Sequence, residues 1–176
     1  RFVFLNRLAS PTCFAKILVN GFGMKAIGYD PYITPDKLQV PIELKDTADE
    51  VWQQADYVSL HLQSNDETRH SIGYKQFSMM KPSASFINCA RGDLIVEADL
   101  IRALEEGKIY GAALDVFEQE PIPVGDPAWT AKNLLITPHV AGGMRLEITR
   151  RACIEMAQDN LKRYLAGEPL ENLVEG

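Results

Sequence analysis

Three separated side chains in this sequence have the types needed to bind a small acid and move a proton on it. They are Arg91 in NCARGDLIVE, Glu120 in DVFEQEP and His139 in ITPHVAGG. A guanidinium presents a rigid fork of donors that clamps a carboxylate through parallel hydrogen bonds. An imidazole exchanges a proton near neutral pH, because its unperturbed pKa lies there. A carboxylate beside that imidazole favours the charged ring and fixes its tautomer. Taken singly, each residue has an ordinary alternative: a lone histidine is often structural, and Glu120 also reads as a solvated loop acid. Position argues for the functional reading, because each follows a strand-like run.

The elements that would place them alternate between strand and helix. Phe2 to Leu5 is a short apolar run, and Ser10-Pro11 reads as a helix start with Ser as N-cap and Pro at the first helical position. The helical pattern passes through Ala15, Leu18 and Val19 and ends at Gly21 and Gly23. Met24 to Tyr29 reads as the next strand, Thr47 to Ala55 as a helix, and Tyr57 to Leu60 as a buried strand. Further strands are expected at Ser85 to Asn88, Ala112 to Val116 and Leu134 to Ile136. Glu97 to Gly107 carries helical spacing at Leu100, Ile101 and Leu104, and a long amphipathic helix is expected from about Met144 to Ala166.

Short wholly apolar strands alternating with helices predict a parallel sheet covered on both faces. Ligands of such sheets sit outside the carboxyl ends of the strands. The residues to watch are therefore Asp30, His61 to Ser64, Cys89 to Gly92, Asp115 to Pro121 and Thr137 to Gly143. Asp30, after the second long strand, has the chemistry to accept hydrogen bonds from both hydroxyls of a nucleotide ribose and to repel an added 2′-phosphate. Asp30-Pro31 is equally a common strand-ending turn.

Composition narrows the field. The chain has 176 residues, 46% hydrophobic and 24% charged, which is ordinary for a globular domain and excludes a disordered or collagen-like chain. The length favours one domain with one sizeable core. Eighteen basic against twenty-four acidic residues give a net charge of −6, which argues against binding a nucleic-acid backbone. The apolar runs are strand-sized, so no membrane span is expected, and the amino-terminal run is too short for a secretory signal. Cys13, Cys89 and Cys153 are far apart and odd in number, with neither a disulfide framework nor a metal-ligand spacing. A reducing, cytoplasmic setting and no metal are the expectations.

A resemblance sharpens this reading. The pieces FGMKAIGYDP, ADYVSLHL, ETRHSIG, INCARGDLIVEADLIRALEEGKIYGAALDVFEQEP and NLLITPHVAGG stand in the order and at the spacings of the D-isomer-specific 2-hydroxyacid dehydrogenases. From about Phe22 onward the chain resembles the NAD-binding domain of that family, which includes phosphoglycerate, glycerate and lactate dehydrogenases. The resemblance implies a doubly wound α/β Rossmann-type parallel sheet with helices on both faces. It implies NAD as cofactor and hydride transfer to or from a small D-2-hydroxy acid or 2-keto acid. Carried over position by position, Arg91 resembles the arginine that holds the substrate carboxylate, His139 the acid/base, and Glu120 the acid that orients that histidine. Asp115 resembles the residue that holds the nicotinamide carboxamide, and Asp30 the ribose-binding acid. Thr68, Cys89, Ala90 and Gly142 resemble further cofactor-lining positions. The resemblance also implies a two-fold homodimer with Glu97 to Pro121 near the contact. The apolar side of the Leu100–Leu104 helix would then avoid water. Corepressor relatives share the domain and keep the Arg, Glu and His, so a non-catalytic dinucleotide-sensing module is the alternative.

The sequence departs from the family pattern in two ways. Counting back from FGM, the three glycines of the family's G-x-G-x-x-G phosphate loop fall on Arg7, Ala9 and Thr12. Side chains then stand where the tight turn, the pyrophosphate approach and the helix–strand contact need none. The family also has a separate substrate domain, built largely from sequence preceding the first strand. Residues 1–176 are expected to be the NAD-binding domain alone, with about 167–176 passing back toward a substrate domain that is not within the chain.

Overall fold

The computed structural model describes residues 2–5, 11–30, 38, 40–142 and 146–173, with side chains from Phe14 onward. The chain divides into two compact units, Arg1–Pro138 and His139–Gly176.

The first unit is built on a seven-stranded sheet whose neighbouring strands are all parallel. Its strands are β1 (Phe2–Leu5), β2 (Ala26–Tyr29), β3 (Ile42–Leu44), β4 (Tyr57–Leu60), β5 (Ser85–Asn88), β6 (Gly111–Leu114) and β7 (Leu134–Ile136). Their order is β3-β2-β1-β4-β5-β6-β7, so the direction of winding reverses between β1 and β4. In open α/β sheets such a reversal marks where ligands commonly bind. The fold is the expected Rossmann-type doubly wound sheet.

Side chains alternate across each strand, and the two faces are filled differently. On one face pack α2 (Ala48–Gln54), α3 (Tyr74–Met79) and α4 (Glu97–Glu105). Val51, Trp52, Phe77, Leu100, Ala103 and Leu104 from these helices meet Ile27, Val58, Leu60, Phe86, Ala112 and Leu114 from the sheet. Phe77 sits edge-on to Phe86 at 5.2 Å between ring centroids, and Trp52 stacks on it at 6.3 Å. On the other face a smaller cluster joins Ala15 and Leu18 to Ala26, Val40 and Ile42. It lies under α1 (Pro11–Lys16), which continues as a π-helical turn, Ile17–Gly21. The chain leaves that turn through Gly23, whose φ of +63° favours glycine.

Most expected elements are present, and two were not anticipated: β3, only three residues long, and α3. Pro11 opens α1 as expected, whereas Ser10, the expected N-cap, lies outside the described residues. Thr47 caps α2 by accepting from the Glu50 N–H at 3.3 Å. Leu100 is fully buried and Leu104 is 2% exposed, both within their own core, so α4 leaves no apolar stripe for a subunit contact. The exposed apolar side chains of this unit include Tyr57, Tyr110 and Leu135 around the β5–β7 end of the second face, and Ile17 and Phe22 near α1.

The second unit consists mainly of α5 (Glu147–Ala166). It ends at Gly167, φ +68°, whose N–H bonds back to the Arg163 and Tyr164 carbonyls. The following residues turn back along the helix. Asn160 donates to the Glu171 carbonyl at 3.0 Å and accepts from the Glu171 N–H at 2.9 Å. Among the described residues, no helix is long and apolar enough to cross a membrane.

Candidate functional site

Parallel pairing brings the turns after β4, β5 and β6 to one edge of the sheet. The turn after β5 is shaped by Asn88, the fully buried last residue of that strand. Its side chain accepts from the Ala90 N–H at 3.0 Å and donates to the Arg91 carbonyl at 2.8 Å. Cys89, Ala90 and Arg91 are thus wrapped around one amide. The Arg91 side chain is exposed, and one of its terminal nitrogens donates to the Ala90 carbonyl at 2.6 Å.

Gly92 joins this turn to the next one. A Cβ built there would stand 2.0 Å from the Phe117 carbonyl carbon and 2.3 Å from the Glu118 nitrogen. Only glycine lets the two backbones approach so closely. The β6 turn is then braced from within and from behind. Glu120 accepts from the Phe117 N–H at 2.9 Å, and Glu97 accepts from the Glu118 N–H at 2.7 Å. Burial is the main force raising the Glu97 carboxyl above its ordinary pKa. The charges of Asp126, Glu118 and Glu120 add to it, against the hydrogen bond from Glu118. Asp115, 3% exposed, accepts from the Thr137 hydroxyl at 2.5 Å and so ties the ends of β6 and β7. Burial, and secondarily the Asp115 charge, push the Cys89 thiol above its usual pKa.

The turn after β4 forms the facing wall. A hollow of about 480 Å³ is lined by Leu60, His61, Leu62, Gln63, Ser64, Cys89, Ala90 and Arg91. Its size is that of a small-molecule site. His61 places a ring nitrogen 3.0 Å from the Ser59 hydroxyl, and burial lowers its pKa. Thr68 lies outside this lining. Its hydroxyl donates to the Gln63 carbonyl at 2.7 Å and accepts from the Asn65 N–H at 2.9 Å, which staples the loop.

The expected site residues therefore divide. Cys89, Ala90 and Arg91 share the wall of one hollow. Asp115 stands at the end of the neighbouring strand, and the Glu120 carboxylate is folded onto its own turn. Asp30 is half-buried at the end of β2. His139 opens the second unit with an exposed side chain and φ +52°, and Gly142 follows, also exposed. Arg7 and Ala9 of the expected phosphate loop lie outside the described residues; Thr12 falls within α1, with its side chain undescribed. Sequence reasoning missed Asn88 and Glu97. An asparagine ending an apolar strand was the available signal for the first. Among the described residues no group of three or more His, Cys, Asp or Glu side chains could hold a metal ion.

Residues 12–141 match the family model described as D-isomer specific 2-hydroxyacid dehydrogenase, NAD binding domain. The chain belongs to that family. It is 44% identical over 154 residues to a D-3-phosphoglycerate dehydrogenase of Methanocaldococcus jannaschii, covering 87% of this chain and 29% of that protein. A D-isomer specific 2-hydroxyacid dehydrogenase from Lactobacillus delbrueckii ssp. bulgaricus, solved in its NAD complexed form, superposes with a TM-score of 0.86 at 30% identity. That match covers 99% of this chain and 56% of the other. A family member from Xanthobacter autotrophicus Py2, solved with NADPH and MES, gives a TM-score of 0.81 at 32% identity, covering 99% and 54%. The chain thus spans about half the length of these solved relatives, and less of the phosphoglycerate dehydrogenase. What it carries is the family's NAD-binding domain.

Proposed function

We propose that the protein is an NAD-dependent oxidoreductase that interconverts a small D-2-hydroxy acid and its 2-keto acid, with this chain supplying the cofactor-binding domain. The observation that carries the reading is Arg91, a guanidinium on the rim of a ligand-sized hollow and on a turn fixed by a buried amide. The cofactor fits this edge of the sheet. The winding reverses between β1 and β4, and a half-buried carboxylate, Asp30, ends β2.

NADH, when bound, supplies the hydride. Asp30 would accept from its ribose hydroxyls, and Asp115 from its carboxamide. Arg91 binds the substrate carboxylate and turns the carbonyl toward the reacting face, and such orientation lowers the barrier substantially. His139 carries the proton on an imidazole nitrogen and gives it to the developing alkoxide oxygen; in oxidation the neutral ring takes the hydroxyl proton. Glu120 is assigned, by family resemblance, as the acid that orients that histidine. The same reading includes a cytoplasmic homodimer with Glu97 to Pro121 near its contact. Its support is family resemblance, because Leu100 and Leu104 are spent on the core.

Titration of the chain with NADH and NADPH tests the cofactor reading, and NADH is expected to bind more tightly. The glycine-free loop at Arg7, Ala9 and Thr12 sacrifices phosphate contacts. Losing two charge-assisted hydrogen bonds weakens binding about a hundredfold. The variant with Arg7→Gly, Ala9→Gly and Thr12→Gly should recover much of that affinity, and equal affinity in the two proteins would overturn the assignment of the loop. Turnover of a panel of 2-keto acids with NADH separates the enzyme from a dinucleotide-sensing module, which would bind without turning over.

A further inference from the structure

We infer that Asp93 is a positioning residue for this site: its carboxylate ties the β4 wall of the hollow to the Arg91 turn and so sets the distance across the bound ligand. The inference deepens the reading above and rests on it. Asp93 lies two residues beyond Arg91, just after Gly92, whose contact with the Phe117–Glu118 backbone leaves that turn no room to shift. From this fixed point it reaches into the β4 loop three times. Its Oδ2 accepts from the Ser64 hydroxyl at 2.7 Å and pairs with Arg69 at 3.1 Å. Its carbonyl accepts from the His70 N–H at 2.8 Å. Ser64 and Arg91 both line the hollow, so one residue holds members of the two opposing walls.

The three ties are unequal. Arg69 is 58% exposed, and an ion pair so open to water holds weakly. The Asp93 side chain is only 19% exposed, and its bond from the Ser64 hydroxyl is short and charge-assisted. That bond carries most of the coupling. The other oxygen, Oδ1, is buried with no hydrogen-bond partner among the described residues. A buried carboxyl oxygen with no hydrogen-bond partner is a burden on the fold rather than a support. Its value lies in what it positions.

This separates function from stability in a way a purely structural role cannot. Asp93→Asn retains an acceptor for Ser64 but loses the charge, and Asp93→Ala loses both. Three measurements on the full 176-residue chain test the inference: thermal unfolding, amide hydrogen exchange in residues 64–72, and NADH titration. Asp93→Asn is expected to unfold within about 2 °C of wild type, because it keeps an acceptor for Ser64 and loses only the exposed ion pair with Arg69. Exchange at His70 and Ile72 should quicken about tenfold in Asp93→Ala and less in Asp93→Asn, and Ser64→Ala should quicken it too. NADH affinity should fall in the same order, by about tenfold in Asp93→Ala. Unchanged exchange in Asp93→Ala overturns the coupling, whatever the titration gives. Faster exchange with unchanged NADH affinity, or affinity loss that only follows a lower unfolding temperature, overturns the positioning role. A wild-type chain that binds no NADH is a different signal, and it overturns the cofactor reading together with the role built on it.

Discussion

The turns after β5 and β4 border the same hollow but are held by different means. The β5 turn is gripped from inside the protein, by a fully buried asparagine and by a glycine pressed against a neighbouring backbone. The β4 turn is held mainly near solvent, by the hydroxyl of Thr68 and the amide of Asn65, with one part-buried bond to Asp93. Buried hydrogen bonds are costly to break because water cannot replace the lost partner, whereas exposed ones are readily replaced. Under the proposed function, the β5 turn is therefore the one suited to hold a fixed feature of the ligand, the carboxylate assigned to Arg91. The facing turn can adapt its fit.

Substitutions on each side put this contrast to the test. The largest effect is expected at Gly92→Ala, where a methyl group 2.0 Å from backbone cannot be accommodated without moving the β6 turn. A loss of about 3 kcal/mol or more, or roughly 10 °C in the unfolding temperature, is expected in a thermal melt. A melt within a degree of wild type would mean the turns are not locked. Asn88→Ala comes next. It orphans the Ala90 N–H and the Arg91 carbonyl in a part-buried setting, for a loss of about 1–2 kcal/mol by denaturant titration. On the β4 side, Thr68→Val removes a hydroxyl with two partners near solvent and should cost only about 0.5–1 kcal/mol. A Thr68 loss as large as that of Asn88 would erase the distinction between the turns.

The smallest effect concerns pH. The Glu97 carboxyl is raised above its ordinary pKa, first by burial. The fold thus favours its protonated form, and the stability it contributes below the unfolded pKa is lost as pH rises through the folded one. Glu97→Gln keeps an oxygen for the Glu118 N–H and carries no charge. The unfolding temperature of this variant should gain on wild type as pH rises from about 4.3, then stay level. A variant that loses ground to wild type over that range would show that the charged form is the favoured one.

Much of this arrangement was legible in the residues, and the gaps have physical causes. Largely apolar runs such as Tyr57–Leu60 and Ser85–Asn88 became central parallel strands, each paired with a neighbour on both sides. Residues 42–44 escaped notice because three residues after a proline carry no period of their own; β3 exists by pairing with β2. Helix α3 begins at Gly73, which brings no side-chain cap, and is held instead by Gln76 and by Asp99 from α4. Spacing marked Arg91 and Asp115 as strand-end residues. It included Gly92 only as the end of the Cys89 to Gly92 turn and gave no sign of its contact, because the closeness of two backbones far apart in sequence exists only after folding. For Leu100 and Leu104 the helical period was read correctly, yet it could not tell whether the stripe faced the protein's own core or a second subunit.

The common direction of the strands also divides the protein into a working rim and a service rim. Turns that enter the strands lie at the rim opposite the hollow. Gly107, on the approach to β6, has φ +68° and open space around it. The four-residue strand β6, about 13 Å long, stands between that rim and the rim of the hollow. A fluorophore or surface tether attached there, through a cysteine introduced next to that glycine, would report on the domain or immobilise it with the cofactor edge left facing outward.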